Sequence, residues 1–248
     1  MRTVRLYTEN DLAAGLSVTL PSAQAHYLGH VMRLKAGAPV ALFNGRDGEW
    51  RATVNAISKK QCDLSVTEQT RKQEMVSDLW LVFAPIKKTR TDFIVEKATE
   101  LGAARLLPVF TENTASTRVN IERLQAISIE SAEQCERLDI PAIDAAQPLG
   151  ALCQNWPASR ILYVLDEMGH ETGRAEPIIS ALESLKQSTP LPPVGFLTGP
   201  EGGFGAGELD GLRKLPFVKT VTLGSRILRA ETAVAAALAC FQAVTDQS

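Results

Sequence analysis

Near its carboxyl end the chain twice combines an apolar run with a glycine-bearing loop. Residues 194–205 read VGFLTGPEGGFG, and residues 218–233 read VKTVTLGSRILRAETA. Short apolar runs bounded by glycine and proline predict buried strands, here at Val194–Leu197 and Val218–Leu223. Each loop then leads into a segment of helical character, so the stretch predicts strand–loop–helix units of an α/β fold.

The two loops also indicate where a ligand binds. The helices that follow them are predicted at Glu208–Leu215 and Ala233–Val244. Ligands of open α/β sheets bind beside the carboxyl ends of strands, and glycine lets the backbone approach them closely. Either loop alone could be an ordinary turn. Because G-x-G-x-x-G and G-x-x-x-x-G-K-[ST] are absent from the stretch, a common dinucleotide site or a P-loop is not expected there.

The same two segments resemble the C-terminal motifs of the RsmE family, the 16S ribosomal RNA (uracil-N3)-methyltransferases of the SPOUT superfamily. Family members typically read I-G-P-E-G-G and L-G-x-R-I-L-R-T-E-T, and this chain differs at Thr198 and Ala230. The resemblance implies an α/β fold in which a C-terminal SPOUT domain, with a parallel sheet and a deep trefoil knot, follows a small PUA-like β-barrel domain. It also implies an S-adenosylmethionine site made by the knot loops, and a homodimer.

Composition sets the broad class of protein. The chain has 248 residues, of which 45% are apolar, enough for a globular core. Its apolar runs are too short for a transmembrane helix, and its first residues lack the apolar core of a signal peptide. The cysteines are scattered, which argues against a disulfide scaffold or a metal site. The sequence therefore predicts a cytoplasmic protein without a metal or a membrane association.

The N-terminal part is predicted to be a small β domain. Strands are expected at residues 3–7, Pro39–Asn44, Glu49–Val54 and Cys62–Thr67, with a helix at Ser22–Arg33 capped by Ser22. The polar segment 71–77 lacks periodicity and predicts a domain boundary. The predicted domains are 1–72, a PUA-like RNA-binding β-barrel, and 76–248, the SPOUT methyltransferase domain.

The remaining segments of the second domain alternate between strands and helices. Strands are predicted at Leu79–Ala84, Arg105–Phe110 and Ile161–Leu165, and helices at Asp92–Leu101, Ile121–Cys135 and Ile178–Lys186. Gly102 is expected just after the first of these helices. The acidic segment 166–171 could face solvent or lie near a cationic cofactor, and solvent is the favoured interpretation.

Candidate RNA contacts come from cations and from further motif matches. The net charge is −2, but residues 1–75 are net positive and residues 121–248 net negative, so RNA should favour the N-terminal part and local patches. The family motifs H-x-x-x-V-L-R, K-A-x-E-L-G and E-Q-[SC]-x-R resemble segments around residues 26–33, 97–102 and 133–137. The RNA-binding candidates are Arg5, His26, Arg33, Lys87, Arg90, Lys97, Arg118 and Arg137.

The resemblance also implies the roles of the loop residues. The cofactor-binding candidates are Leu197, Thr198, Gly199, Gly202, Leu223, Gly224, Ile227, Leu228 and Thr232. Uracil N3 carries a proton at neutral pH, so its methylation needs a base or a cation that stabilises the developing anion. Arg229 is the candidate for the electrostatic role. Glu201 and Glu231 are the candidates for the base, although a carboxylate at Glu231 would also suit the start of a helix.

The predicted function is therefore S-adenosylmethionine-dependent methylation of a uridine N3 in 16S ribosomal RNA of the small subunit. The predicted partners are 16S ribosomal RNA in a 30S particle and a second copy of the chain. A non-catalytic RNA-binding factor that kept the fold is the alternative, and donor binding separates the two hypotheses. An oxidoreductase is disfavoured because the glycine-rich fingerprint is missing.

Overall fold

The computed structural model describes residues 3–74, 77–167, 169 and 173–245. The chain forms two compact units. The first consists of Met1–Met75 and Ile129–Ile140, and the second of Val76–Ser128 and Pro141–Ser248. The sequence did not indicate that a segment from the middle of the chain belongs to the first unit. The domain bounds 1–72 and 76–248 stay a prediction.

The first unit is built on a small mixed sheet. Its strands are β1 (Val4–Tyr7), β2 (Ser17–Leu20), β3 (Pro39–Phe43), β4 (Glu49–Ile57) and β5 (Cys62–Arg71). They lie in the order β1-β3-β4-β5-β2, in which β1 pairs with β3 in parallel and the other three pairs are antiparallel. Strand β2 was missed by the sequence analysis. Closure of this sheet into a barrel stays a prediction.

Alternate side chains of the strands, together with a short helix, form the core of this unit. Cys62, Leu64 and Val66 are buried at every second position of β5, as expected for a strand with one face on the core. Helix α1 (Ser22–His26) continues as a π-helical turn, Tyr27–Val31. The predicted Ser22 cap is wrong, because the N-cap residue is Pro21 and no side chain caps the helix.

Residues 129–140 complete the first unit through a small apolar cluster. Ala132 and Leu138 pack with Phe43, and Tyr7 contacts the same cluster. Arg5 reinforces the packing, since its guanidinium donates hydrogen bonds to the carbonyl oxygens of Ala132 at 2.9 Å and of Arg137 at 2.9 Å. The segment is thus held to β1 and β3 by both apolar and polar contacts.

The second unit contains a parallel sheet, as predicted. Its strands are β6 (Leu79–Phe83), β7 (Arg105–Phe110), β8 (Ala142–Ile143), β9 (Gln147–Pro148), β10 (Ile161–Leu165), β11 (Glu176–Pro177), β12 (Val194–Thr198) and β13 (Val218–Thr222). The order is β11-β13-β10-β12-β6-β7-β8, with β9 beside β7. The paired strands run parallel throughout.

Helices cover both faces of this sheet. They are α2 (Lys88–Glu100), α3 (Ile121–Cys135), α4 (Leu149–Gln154), α5 (Ile178–Glu183) with the 3₁₀ turn Ser184–Gln187, α6 (Ala206–Arg213) and α7 (Ala230–Thr245). Helix α3 belongs to this unit only as far as Ser128. Leu81 and Phe83 of β6 join the core beneath α2 and α7, whereas Val82 joins the core beneath α4 and α6. Burial on both faces explains why the central strands read as continuous apolar runs.

Among the described residues, none of the helices has the length and apolar character needed to cross a membrane. Within the same residues there is no group of three or more His, Cys, Asp or Glu side chains that could hold a metal ion.

Candidate active site

Four neighbouring strands of the second unit end around one cavity. Strands β13, β10, β12 and β6 are adjacent and parallel, so their carboxyl ends lie at the same edge of the sheet. The cavity there has a volume of about 500 Å³, within the range of about 300–1,000 Å³ usual for small-molecule sites. The segments that follow these four strands supply its lining.

The loop after β12 is a tight turn folded around glycines. The Gly203 N–H donates to the Pro200 carbonyl at 2.9 Å, and Gly203 has a φ of +69°. A Cβ at Gly203 would lie 2.7 Å from Glu167 Oε1, and one at Gly199 would lie 3.1 Å from the Phe204 ring. A side chain at either position would disturb this turn, which explains the glycines there.

The loop after β13 forms a second wall of the cavity. Gly224 has a φ of +112°, and its N–H donates to Thr222 Oγ1 at 3.3 Å. Ile227 is 71% exposed although it is apolar. The loop ends where the Ala233 N–H donates to the Arg229 carbonyl at 2.8 Å, at the start of α7. The side chain of Arg229 is exposed, so this cation stands at the solvent side of the cavity.

Arg90, near the start of α2, connects the two walls. Its guanidinium pairs with Glu201 of the first loop, and its Nε lies 3.5 Å from Oε1 of Glu231 in α7. The other carboxylate oxygen of Glu231 is buried and has no hydrogen-bond partner among the described residues. One guanidinium therefore binds both of the carboxylates that the sequence suggested as bases.

The acidic segment after β10 also reaches the cavity. Asp166 is only 3% exposed, lines the cavity, and accepts a hydrogen bond from Arg213 Nη2 at 2.6 Å. The interpretation that this segment faces solvent is therefore wrong for Asp166, because the sheet edge and Arg213 enclose it. Glu167 is exposed at the rim. Met168, His170 and Glu171 lie outside the described residues.

The structure brings most of the predicted cofactor residues together. The cavity lining includes Thr198, Gly199, Leu223, Gly224, Ile227 and Leu228, along with the catalytic candidates Arg229 and Glu201. Leu197, Gly202 and Thr232 are outside the lining. Leu197 is fully buried in the core beside α4 and α6, since alternation along β12 directs it there. Glu231 adjoins the site through Arg90.

The predicted RNA contacts lie partly in the second unit and partly in the first. In the second unit, Lys87 and Arg90 line the cavity, and the Arg118 side chain is exposed. Lys97 pairs with Glu96 and Glu100 on α2, and these partners raise its pKa.

In the first unit, His26 and Arg33 are exposed. The side chains of Arg5 and Arg137 are only 7% and 8% exposed, and they pair with Glu49 and Asp139. Internal partners thus occupy Arg5 and Arg137.

Several lining residues were missed by the sequence analysis. They include Thr222, Phe204, Leu209 and Arg226. For Asp166, a place near a cofactor was considered in the sequence analysis but solvent was favoured, although this residue directly follows a strand predicted to be buried, at the end where ligands bind. Phe204 and Leu209 carry no comparable signal, since their position depends on how the loop after β12 folds back.

Comparison with known families identifies the class of protein. The family model described as RNA methyltransferase domain matches residues 72–242, and the one described as RNA methyltransferase PUA domain matches residues 20–67. A parallel α/β unit with a cavity at its strand ends, preceded by a small mixed sheet, agrees with both matches. The fold is that of an RNA methyltransferase with a PUA domain and a methyltransferase domain.

Individual relatives narrow this class to one family. The chain is 35% identical to the ribosomal RNA small subunit methyltransferase E of Rickettsia conorii, across 96% of this chain and 95% of the relative. It is 34% identical to the Synechocystis enzyme of the same name, across 98% and 78%. The chain belongs to the ribosomal RNA small subunit methyltransferase E family, so the RsmE resemblance is confirmed.

Solved structures agree over the whole chain. The ribosomal RNA small subunit methyltransferase E of Neisseria gonorrhoeae, solved bound to S-adenosyl methionine, superposes with a TM-score of 0.85 at 25% identity and 98% coverage of each chain. A methyltransferase of Legionella pneumophila, solved with the same cofactor, gives a TM-score of 0.82 at 25% identity and equal coverage. Both molecules share the fold along their full length.

Proposed function

We propose that this protein transfers a methyl group from S-adenosylmethionine to N3 of a uridine in 16S ribosomal RNA. The observation that carries this proposal is the cavity of about 500 Å³ walled by the loops after β12 and β13. Those loops are the two segments through which the chain resembles its family. Relatives named ribosomal RNA small subunit methyltransferase E match nearly the whole chain, which supports the assignment.

The residues around the cavity fit this donor. S-adenosylmethionine, when bound, supplies an electrophilic methyl group. Leu223 and Leu228 offer apolar surface, Gly199 and Gly224 leave the backbone accessible, and the exposed carboxylate of Glu167 suits a cationic ligand. Thr198 and Ile227 are the other proposed cofactor contacts. Gly202 and Thr232 belong to the same two segments and would act through loop shape, as would the buried Leu197.

Arg229 is the proposed catalytic residue. Uracil N3 loses its proton during methylation, so negative charge develops on the base. The exposed guanidinium of Arg229 lines the cavity and makes no salt bridge with another described residue, which leaves it free to stabilise that charge. This electrostatic role requires no covalent intermediate on the protein.

The two carboxylates serve a different purpose in this proposal. Both Glu201 and Glu231 are paired with Arg90, so neither is a free proton acceptor in this arrangement. Glu231 keeps one oxygen without a partner among the described residues, and it is therefore the better of the two candidates for a base. Glu201 would chiefly hold Arg90 against the loop.

The RNA target must present an unpaired uridine. N3 lies on the pairing edge of the base, and the enzyme can reach it only in a loop or an opened segment. Lys87 beside the cavity, and the exposed His26, Arg33 and Arg118, are proposed to contact the RNA, the cations at its phosphates. Arg5, Lys97 and Arg137 are occupied by internal partners and would support these contacts indirectly.

Finer features of the family are proposals for this chain. A deep trefoil knot is proposed from the family membership alone, and the order β13-β10-β12 means that the chain passes β10 between β12 and β13. A PUA-like barrel within residues 1–72, a methyltransferase domain within 76–248 and a homodimer follow from the same family membership. A 30S particle in the cytoplasm is the proposed substrate, since ribosomal RNA folds as that particle assembles.

Two measurements test the proposed function. Mass spectrometry of 16S ribosomal RNA should show one N3-methyluridine that disappears when the gene is deleted and returns on complementation. Calorimetry should show that the purified protein binds S-adenosylmethionine. Binding of RNA without binding of the donor would replace the proposal with a non-catalytic RNA-binding factor, and a methyl group found at another position would refute the assigned atom.

A further inference from the structure

Two histidines of the first unit form an exposed aromatic stack. His26 ends α1 and His30 lies in the π-helical turn that follows, four residues later on the same face. Their ring centroids are 4.7 Å apart and the ring planes differ by 17°. Both side chains are exposed, so this pair presents an aromatic surface to solvent that contributes nothing to the core.

The helix beneath the two rings is firmly anchored. Ala25 and Leu28 are buried against the sheet, at 1% and 0% exposure. Gln24 Nε2 donates to the Tyr7 carbonyl at 2.7 Å, and a Cβ at Gly29 would lie 3.2 Å from the Ile57 side chain. The close approach at Gly29 sets the turn against β4. The backbone that carries both imidazole rings is therefore held against the sheet.

Exposed apolar and cationic side chains follow the two histidines along the chain. Val31 and Met32 are 60% and 39% exposed, and Arg33 and Lys35 are exposed as well. Arg33 has a φ of +55°, a conformation that a residue with a side chain rarely adopts and that tends to occur at functional sites. A π-helical turn is also more frequent at such sites than elsewhere. Aromatic, apolar and cationic groups thus share one short segment.

We propose that His26 and His30 form a stacking platform for an unpaired nucleobase of the RNA substrate, with Arg33 and Lys35 contacting the neighbouring phosphates. Unstacked RNA bases bind to aromatic faces, including that of histidine, and cations complement the phosphates. The segment lies within the residues that match the RNA methyltransferase PUA domain. This inference rests on the proposed function, because RNA is taken as the substrate.

Base contacts and phosphate contacts contribute separately to binding, and strands with and without bases distinguish them. Fluorescence anisotropy would compare a single-stranded oligouridine with an abasic strand of equal length and charge. The unmodified protein should bind oligouridine more tightly. His26→Ala/His30→Ala should weaken oligouridine binding about tenfold and leave the abasic strand unchanged, because only the stacking contribution is lost.

Two further variants serve as controls. His26→Phe/His30→Phe keeps aromatic faces and should restore the preference for oligouridine over the abasic strand. Arg33→Ala should weaken the binding of both strands by the same factor. It should also reduce the salt dependence of binding, because it removes a phosphate contact. Unchanged preference in the double alanine variant, or failure of the phenylalanine pair to restore it, would overturn the platform.

The outcome can be distinguished from failure of the proposed function. Methyl transfer to 16S ribosomal RNA with no preference for oligouridine over the abasic strand would refute the platform alone. A preference that depends on both histidines, in a protein that binds no S-adenosylmethionine, would refute the methyltransferase proposal and retain the platform. Binding of neither strand would overturn the platform together with the choice of RNA as partner.

Discussion

At the scale of single residues, the partners of a cation decide its role. Arg5 and Arg137 pair with carboxylates and are almost fully enclosed, whereas Arg229 is exposed at the cavity. Arg90 is intermediate, because it lines the cavity and yet bridges Glu201 and Glu231. An enclosed guanidinium stabilises its own surroundings, and only an accessible one can meet a substrate. Arg229 is therefore the residue whose removal should act most directly on chemistry.

Arg229→Ala is expected to lower kcat for methyl transfer by about 100- to 1,000-fold, the usual effect of losing one donor that stabilises a developing anion. Affinity for S-adenosylmethionine should stay within a few-fold of the unmodified protein. Single-turnover label transfer and calorimetry measure the two quantities. Lys219→Ala, which removes an exposed cation from β13, is the matched control and should keep full activity. Undiminished transfer by Arg229→Ala would exclude its proposed role.

Glu133 offers a test of how residues 129–140 join the first unit. Burial raises the pKa of Glu133 above its ordinary value of 4.5, although the Tyr7 N–H donated to its carboxyl oxygen at 2.9 Å acts in the opposite sense. The folded state thus binds this proton more tightly than the unfolded state. The resulting contribution to stability is complete below pH 4.5 and is lost as pH rises through the folded-state pKa.

Glu133→Gln removes this ionisation while keeping an oxygen for the Tyr7 N–H. The difference in melting temperature, variant minus unmodified protein, should therefore become more positive as the pH rises from about 4 to about 7.5. This range begins near the ordinary pKa of a glutamate and covers the upward shifts that burial commonly causes. Thermal melts followed by circular dichroism would measure it. A difference that stays constant with pH would show that Glu133 does not titrate differently in the folded protein.

At the scale of elements, turns with left-handed backbone fix how strands follow one another. Gly48, in the turn between β3 and β4, has a φ of +79°, and Gly15, before β2, has a φ of +84°. Their surroundings differ. A Cβ at Gly48 would lie 2.2 Å from the Arg71 carbonyl oxygen, whereas a Cβ at Gly15 would meet nothing within 4 Å. The pair therefore separates the conformational cost of a side chain from its steric cost.

Gly15→Ala should cost roughly 1–2 kcal/mol of unfolding free energy, the price of left-handed backbone alone. Gly48→Ala should cost about 1–3 kcal/mol more, because the methyl group also forces backbone atoms apart. Urea denaturation of both variants measures the difference. Equal destabilisation would mean that the end of β5 can shift at no cost, and that the close approach of Gly48 to Arg71 does not constrain the residue at position 48.

At the scale of the whole molecule, the described cavity belongs to one unit. The lining residues come from segments after β6, β10, β12 and β13, which all lie in the second unit. The exposed histidine stack belongs to the first unit. Donor binding and the proposed base stacking are thus assigned to separate units, and the response to each ligand should be separable as well.

Hydrogen exchange with and without S-adenosylmethionine tests this assignment. Protection should increase at residues 165–167, 198–205 and 222–230, because a bound ligand orders the loops that enclose it and disfavours their opening. Residues 39–71 of the first unit serve as the internal control and should exchange at the same rate. Protection confined to the first unit would contradict the placement of the cofactor site.

The pattern of side chains along the chain predicted the elements that build the site. Helix Ile121–Cys135 and strands Arg105–Phe110 and Ile161–Leu165 match the structure to the residue, because each is a long periodic or continuous apolar run. Helix α2 begins at Lys88 rather than at the predicted Asp92, since its first turn is polar and carries no apolar signal. Six of the nine cofactor candidates line the cavity, because they follow strand ends.

By itself, the sequence determined most of the strands and helices, the parallel sheet and the family, since local periodicity and contiguous motifs carry that information. Only the tertiary structure decided which polar residues share a site. Asp166 meets Arg213, Arg90 meets Glu201, and residues 129–140 join the first unit across large separations in the chain. Such contacts depend on how strands are ordered in space, and neither charge nor spacing along the chain records that order.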